Sequence, residues 1–192
     1  MIADTPSAKL IVRRRIADTE TPVSAFLKLG ADTPGNFLFE SIQGGHVLGR
    51  YSFIGVKPDL WWRVVDGRAE TATDSTFANI LHTSDDPLND LTRFTEDARA
   101  TSEEDLPPMA GGAFGYLGYD MIRYFEPVGP KPPSEINVPE AIFIRPRVIL
   151  IFDHLYQELM LVGVDRGNKD DTERALDEVE AALDSAPPRT PR

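Results

Sequence analysis

A carboxylate and a hydroxyl stand side by side at the end of an apolar segment, where they could bind a small polar ligand. Glu40 and Ser41 follow the apolar residues 37–39, and Arg50 and Ser52 come shortly afterwards in a second segment. Side chains alternate between the two faces of a strand, so we expect Glu40 or Ser41 to face inward. A buried carboxylate is costly unless it is paired. These residue types predict a small-molecule site and do not indicate a nucleophile.

The pattern alone leaves two interpretations open. In the first, Glu40 forms an ion pair with Arg50 of the neighbouring strand, and Ser41 simply ends its own strand. In the second, the residues line an amino-acid pocket. Glu40 would then bind an α-ammonium group, Ser41 would form a hydrogen bond with the ligand, and Arg50 or Ser52 would orient it.

A second block is rich in glycine but does not fit a phosphate-binding loop. Gly112, Gly115 and Gly118 recur every third residue among aromatic residues, without the Gly-Lys-Ser/Thr sequence of a Walker loop. This spacing favours close packing of the backbone beside bulky side chains. The three histidines, His46, His82 and His154, are scattered and predict no metal site, which would need convergent ligands. We interpret residues 153–154 as a turn between two strands.

Three segments together resemble the amino-terminal domain of anthranilate synthase component I over about residues 12–184. They are Asn-Phe-Leu-Phe-Glu-Ser (36–41) with Arg-Tyr-Ser-Phe-Ile-Gly (50–55), the glycine block 111–126, and Phe-Asp-His (152–154). The resemblance implies that Glu40 and Ser41 belong to the site where tryptophan binds as feedback inhibitor, and we expect Arg50 and Ser52 to line the same site as the groups that orient the ligand. It also implies that Tyr119, Asp120 and Arg123 lie toward an interdomain contact.

The resemblance carries further expectations about partners and chemistry. The complete enzyme converts chorismate and an amino donor into anthranilate and pyruvate, with ammonia from a glutamine amidotransferase subunit, component II. Chorismate and magnesium would be bound by a catalytic domain that we expect to be absent from this chain, so no cofactor and no catalytic residue are expected here. The chain alone would then be inactive. Alternatives are the same half of aminodeoxychorismate synthase component I, or a free-standing amino-acid-binding module.

Composition excludes several other classes of protein. The 192 residues contain 31 acidic and 20 basic residues, a formal net charge of -11, and no cysteine. Nucleic acid is therefore an unsuitable partner, and thiol chemistry is absent. The basic cluster at 13–15 is too short for a phosphate-binding surface and is interpreted as a solvated strand edge. With no apolar run of transmembrane length and no leader, we expect a cytoplasmic protein that does not bind membranes.

The order of elements predicts an α+β fold, which the resemblance sharpens to two packed, largely antiparallel β-sheets with a few flanking helices. We expect a flexible N-terminus at 1–8, one domain at 9–184 and a proline-rich linker or tail at 185–192. An Asp66-Gly67 turn predicts a hairpin. Helices are predicted at 22–29, 86–100 and 170–183, strands at 10–12, 36–42, 49–56, 60–65, 68–73, 141–144, 148–153 and 157–164, and exposed segments at the Gly44-Gly45 turn and the loop 127–139.

Overall fold

The computed structural model describes residues 8–43, 47–129 and 138–186. The Gly44-Gly45 turn, most of the loop predicted at 127–139, and most of the two predicted termini lie outside the described residues. The strands are β1 (Ala8–Ile16), β2 (Phe37–Gln43), β3 (Val47–Val65), β4 (Arg68–Ala72), β5 (Ile80–Ser84), β6 (Ala100–Thr101), β7 (Phe114–Leu117), β8 (Ala141–Asp153) and β9 (Glu158–Asp165). The helices are α1 (Pro22–Lys28), α2 (Pro87–Asp97) and α3 (Lys169–Leu183), with a 3-10 helix at Tyr119–Tyr124.

The chain divides into two compact units, the first comprising residues 1–58, 99–112 and 146–192. In this unit β9 pairs antiparallel with both β1 and β8, while β2 pairs antiparallel with β3. The apolar face of α3, with Leu176 and Val179, packs on buried strand residues such as Leu150 and Leu161. Gly163 permits this close approach, because a Cβ atom there would lie 2.7 Å from Thr172 Cγ2.

The second unit comprises residues 59–98 and 113–145. Here β4 pairs antiparallel with β3 and with β5, and β7 pairs antiparallel with β8. Asp66 and Gly67 join β3 to β4 with φ angles of 49° and 81°. These positive angles are those of a tight two-residue hairpin turn, so the predicted hairpin is confirmed. The core of this second unit contains Trp62, Val64 and Phe94.

The α+β class and the largely antiparallel pairing are confirmed. The structure differs from the expected two sheets in how the strands are connected. Hydrogen bonds join the nine described strands into one set. The predicted strands at 49–56 and 60–65 are one 19-residue strand, β3, and those at 141–144 and 148–153 are one strand, β8. Both strands therefore contribute residues to each of the two units. The short strands β5, β6 and β7 are not predicted from the sequence, and the helix predicted at 86–100 ends at Asp97.

The glycine block is a packing feature, as its spacing indicates. A Cβ atom at Gly115 would lie 1.9 Å from the carbonyl oxygen of Ile142, and one at Gly118 would lie 2.7 Å from that of Glu140. No side chain fits at such distances without movement of the backbone. Gly112 instead adopts a φ of 119°, which an L side chain rarely adopts.

The basic cluster at 13–15 is not merely a solvated edge, because acidic side chains bind each of its arginines. Arg14 donates to Glu104 and Glu158, and Arg15 donates to Asp184. Arg13 donates to three carboxylates of α3, those of Glu173, Asp177 and Glu180. Arg13 thus offsets part of the negative charge of α3. Among the described residues, no helix is long and apolar enough to cross a membrane.

Candidate functional site

Arg50 and the buried carboxylate of Asp153 form the centre of the candidate site in the first unit. Arg50 Nη2 lies 2.9 Å and Nε 3.2 Å from Asp153 Oδ2. Asp153 is only 4% exposed, and its Oδ1 also accepts hydrogen bonds from the backbone N–H groups of Leu155 and Tyr156. Burial by itself would raise the pKa of Asp153. The hydrogen bonds from Arg50 and the two amides outweigh it, so the pKa is lowered.

Two tyrosine rings flank the guanidinium group of Arg50. Its Cζ lies 4.8 Å from the ring centroid of Tyr51 and 5.3 Å from that of Tyr156. Both distances are within the range of a cation–π interaction. The Arg50 side chain nevertheless remains 46% exposed. The arginine is therefore held in place by its neighbours while part of it stays accessible to a ligand.

Ser52 and His154 form a second polar pair next to the first. Ser52 Oγ lies 2.7 Å from Nε2 of His154, and Ser52 is 1% exposed. The backbone N–H of His154 donates to the carbonyl oxygen of Arg50 at 2.8 Å. Because the Ser52 hydroxyl is buried and Asp153 is bound to Arg50, this pair lacks the accessible nucleophile and the orienting acid of a hydrolase triad. Its role is to fix the turn that follows β8.

Glu40 lies on β2 directly opposite Ser52, but it does not pair with Arg50. The register of β2 and β3 shifts between Glu40 and Ile42, so Ser41 faces three residues of β3, 49–51, in a β-bulge. Glu40 is exposed, and among the described residues it forms no ion pair. The first interpretation, a Glu40–Arg50 ion pair, is therefore wrong, because Asp153 occupies the arginine instead. Bulges are frequent beside binding sites, where they re-aim a side chain.

The sequence interpretation misses Asp153, His154 and Tyr156 as members of this site. The predicted turn is present, but it begins at His154, and Asp153 is the last residue of β8. About 100 residues separate the two from Arg50 and Ser52. Spacing along the chain cannot reveal such a pairing. The one available signal is an acidic residue that directly follows the apolar run Val148–Phe152, where a charge requires a partner.

A cavity of about 390 Å³ opens beside this cluster, within the first unit. Its walls combine apolar and charged side chains, and sequence reasoning assigns no role to most of them. They are Arg14, Arg50, Tyr51, Asp105, Leu106, Pro107, Pro108, Asp153, Tyr156, Glu158 and Met160.

The residues predicted to lie at an interdomain contact belong to the 3-10 helix of the second unit. Tyr119 is 88% exposed. Asp120 Oδ1 accepts a hydrogen bond from Arg123 Nε at 3.0 Å, and Arg123 also donates to the carbonyl oxygen of Gly129. The helix thus exposes Tyr119 beside Asp120 and Arg123, whose opposite charges balance each other. The interdomain role stays a prediction.

A family model described as chorismate binding enzyme matches residues 53–192, more than half of the chain. The chain is 36% identical over 157 residues to anthranilate synthase component 1 of Cereibacter sphaeroides, covering 81% of this chain and 31% of that protein. It is 37% identical over 164 residues to the Synechocystis protein of the same name, covering 83% of this chain and 32% of that protein. The chain therefore spans about a third of the length of these relatives.

The fold is also similar to a solved structure. The crystal structure of anthranilate synthase component I from Streptococcus pneumoniae matches with a TM-score of 0.57 and 23% identity. The match covers 92% of this chain and 38% of that one. It supports the α+β fold.

The family match corrects one expectation from the sequence. The resemblance implies an amino-terminal regulatory domain whose chorismate-binding part is absent, and this is wrong, since the chorismate-binding family model covers residues 53–192. The blocks at 111–126 and 152–154 lie inside the matched residues. They therefore belong to the region that matches the chorismate-binding family. A missing chorismate-binding domain is accordingly no longer expected as a partner.

Proposed function

Because this chain belongs to the chorismate-binding enzyme family, we propose that it is part of an anthranilate synthase component I, which forms anthranilate and pyruvate from chorismate and an amino donor. The observation that carries the proposal is the family match over residues 53–192, supported by 36% and 37% identity to two proteins named anthranilate synthase component 1. These relatives are about three times as long as this chain, so the whole reaction belongs to the proposal.

The proposed partner is component II, a glutamine amidotransferase subunit that supplies ammonia. The name component 1 of the relatives supports a second component. Magnesium is expected in the complete enzyme. Within the described part of this chain, no group of three or more His, Asp and Glu side chains could hold a metal ion. We therefore assign no magnesium ligand to these residues and route no step of the reaction through them.

We propose an amino-acid site, with tryptophan as its ligand, at Glu40, Ser41 and Arg50. Ser52, which is buried and bonded to His154, supports the strand opposite Glu40 and does not contact the ligand. Two observations support the site: the exposed Glu40 carboxylate forms no ion pair with another described residue, and the bulge at Ser41 interrupts the strand beside it. The carboxylate would bind the α-ammonium group of the ligand. Tyr119, Asp120 and Arg123 are proposed to contact another part of the longer protein.

The decisive experiment replaces the matching segment of the Synechocystis component 1 with this chain. The chimera is supplied with component II, chorismate, glutamine and magnesium, and anthranilate is measured by its fluorescence. A chimera with a scrambled segment is the control. We expect anthranilate in the first sample only. Formation of aminodeoxychorismate in its place would reject the proposal in favour of the folate-pathway relative, and absence of both products from a folded chimera would also reject it.

The amino-acid site is tested separately by calorimetry with tryptophan on the same chimera. Glu40→Gln should weaken binding at least about tenfold, since it removes a charge-assisted hydrogen bond to the ammonium group. Glu126→Gln, a change of another exposed glutamate, is the matched control and should leave the affinity unchanged. Equal affinities for the two variants would contradict the site.

A further inference from the structure

The strand β5 has an open edge in the second unit. Among the described strands it stands at one end of the strand order and pairs antiparallel with β4 alone. Alternate residues of such a strand direct their backbone N–H and C=O groups away from the partner strand. Within the described residues, no backbone hydrogen bond reaches this outer edge of β5. A further strand can therefore add to β5 through main-chain hydrogen bonds.

The side chains of β5 lack the residue types that usually keep an edge strand from pairing. Such residues are lysines, inward-pointing charged residues and prolines. Residues 80–84 are Ile-Leu-His-Thr-Ser and include none of them, and the first four are exposed. The edge is therefore uncharged when His82 is neutral, and its first two side chains are apolar.

An irregularity in the pairing of β4 with β5 makes Leu81 prominent at this edge. Thr71 pairs with His82 and Ala72 pairs with Ile80, so Leu81 is the additional residue of a bulge. The additional residue of a bulge has no residue directly opposite it on the partner strand. The Leu81 side chain is accordingly 61% exposed. An apolar group thus stands beside the open backbone groups, where a second strand would cover it.

The distribution of charge favours a second copy of this chain as that strand. The chain carries a formal net charge of -11, so two copies repel each other over most of their surface. Residues 75–84, in contrast, contain no Asp, Glu, Lys or Arg. In an antiparallel pair centred on His82, Asp85 of each copy lies opposite Asn79 of the other. The two Asp85 carboxylates are then about 20 Å apart, beyond the Debye length of about 8 Å, whereas parallel strands would bring them side by side.

From these observations we propose that β5 is a self-association surface, on which the β5 strands of two copies pair antiparallel about His82. The contact is isologous, so Leu81 of each copy lies opposite Thr83 of the other. Only about five residues of each strand take part, and so small an interface gives a weak dimer, with a dissociation constant on the order of 0.1 mM. The proposal does not require the proposed function, because β5 contains no residue of the proposed amino-acid site.

Analytical ultracentrifugation of this chain at pH 7, from about 10 µM to about 1 mM, tests the proposal. We expect monomer at the lowest concentration and dimer at the highest. Leu81→Lys and Thr83→Lys should each weaken dimerisation at least about tenfold, because lysine on an edge strand opposes pairing. Leu155→Lys is the matched control, since it adds the same charge at a leucine of similar exposure in the first unit, and it should have no effect.

Circular dichroism shows whether each variant is folded, and either of the two β5 variants is sufficient for the test. A chain that is monomeric at about 1 mM would overturn the proposal and would leave the edge to another part of a longer protein. Folded β5 variants that dimerise like the parent chain would also overturn it. The same is true if Leu155→Lys weakens association as much as they do, because the association would then be general hydrophobic contact.

Cross-linking tests the antiparallel register. The chain contains no cysteine, so introduced cysteines report on single positions. His82→Cys should form a disulfide-linked dimer on oxidation, because residues directly opposite in an antiparallel pair have Cα atoms about 4.5 to 5.5 Å apart. Leu81→Cys should cross-link at least about tenfold faster with Thr83→Cys than with itself, since two Leu81 positions are diagonal neighbours about 7 to 8 Å apart. Faster cross-linking of Leu81→Cys with itself, or equal rates for His82→Cys and the control Leu155→Cys, would overturn the proposal.

Discussion

Ser52 Oγ and His154 Nε2 lie 2.7 Å apart, although 102 residues separate them in the sequence. The neighbouring pair, Arg50 and Asp153, repeats the same connection two residues earlier on β3. Two side chains of one strand thus bind the last residue of β8 and the residue that follows it. This double connection holds the turn in place, and with it the ring of Tyr156 beside Arg50.

Ser52→Ala should destabilise the chain by about 1 kcal/mol, because it removes a hydrogen bond between two side chains and leaves the histidine without this partner. Urea denaturation at pH 7 measures the change in the free energy of unfolding. Ser185→Ala, at the exposed end of α3, is the control and should change this free energy by less than about 0.5 kcal/mol. Equal effects of the two substitutions would mean that the Ser52–His154 contact contributes nothing.

Asp153 should make stability depend on pH in the acid range. Its pKa is lowered in the folded state, so the unfolded chain takes up the proton more readily as the pH falls. The stabilising contribution is complete above the ordinary pKa of about 3.9 and is lost as the pH falls through the lower folded pKa. Asp153→Asn should therefore reduce stability at pH 7 and flatten the decline below about pH 4.

Urea midpoints measured from pH 2 to pH 7 test this dependence. Asp97→Asn, at an exposed position of α2, is the control and should keep the acid decline of the parent chain. A decline in Asp153→Asn as steep as that of the parent would show that other carboxylates determine acid unfolding. A variant as stable as the parent at pH 7 would contradict the contribution of the Arg50–Asp153 pair.

Local signals in the sequence were sufficient to predict most elements of the fold. Pro22 and Gly30 bracket α1, and the Asp66-Gly67 dipeptide produces the hairpin between β3 and β4. Such signals depend on only a few neighbouring residues, because the residues at helix ends and in turns determine the local backbone conformation. The continuity of β3 was not predicted, because Pro58 and the polar residues near it indicate a break. In the structure β3 nevertheless continues through this region, with a positive φ of 54° at Lys57.

The candidate site was only partly predictable from the sequence. Arg50 and Ser52 lie on one strand as the sequence predicts, but Glu40, the partner that the first of the two open interpretations gives to Arg50, does not bind it. Glu40 is close in sequence and opposite in charge, whereas Asp153 is 103 residues away and is brought near only by the pairing of whole strands. Burial explains why Arg50 pairs with Asp153. The Asp153 carboxylate is only 4% exposed, so leaving it unpaired would cost more free energy than leaving the exposed Glu40 carboxylate unpaired.

Gly115→Ala should destabilise the second unit by more than about 2 kcal/mol. A Cβ atom would lie 1.9 Å from the backbone oxygen of Ile142, which cannot move without disturbing the β7–β8 pairing. Thermal unfolding monitored by circular dichroism measures the loss. Gly129→Ala is the matched control, since nothing lies within 4 Å of its added Cβ atom, and it should be neutral. A Gly115→Ala chain as stable as the control would refute close packing as the reason for this glycine.

Asp90 should contribute to stability mainly through Trp62 and only weakly through His82. Its Oδ2 accepts from the indole N–H of the fully buried Trp62 at 2.8 Å, and its Oδ1 lies 2.9 Å from Nε2 of His82, whose side chain is 54% exposed. Asp90→Ala leaves the indole N–H buried without this acceptor, which costs roughly 1 to 3 kcal/mol. Water can replace Asp90 at the exposed histidine, so little is lost there.

Two double-mutant cycles in urea, Asp90→Ala with Trp62→Phe and Asp90→Ala with His82→Ala, separate these contributions. The first cycle should give a coupling energy of at least about 1 kcal/mol, and the second should give less than about 0.5 kcal/mol. The cavity left by Trp62→Phe enters both arms of its cycle and cancels. If the coupling to His82 equals or exceeds the coupling to Trp62, then burial does not determine the strength of these two hydrogen bonds.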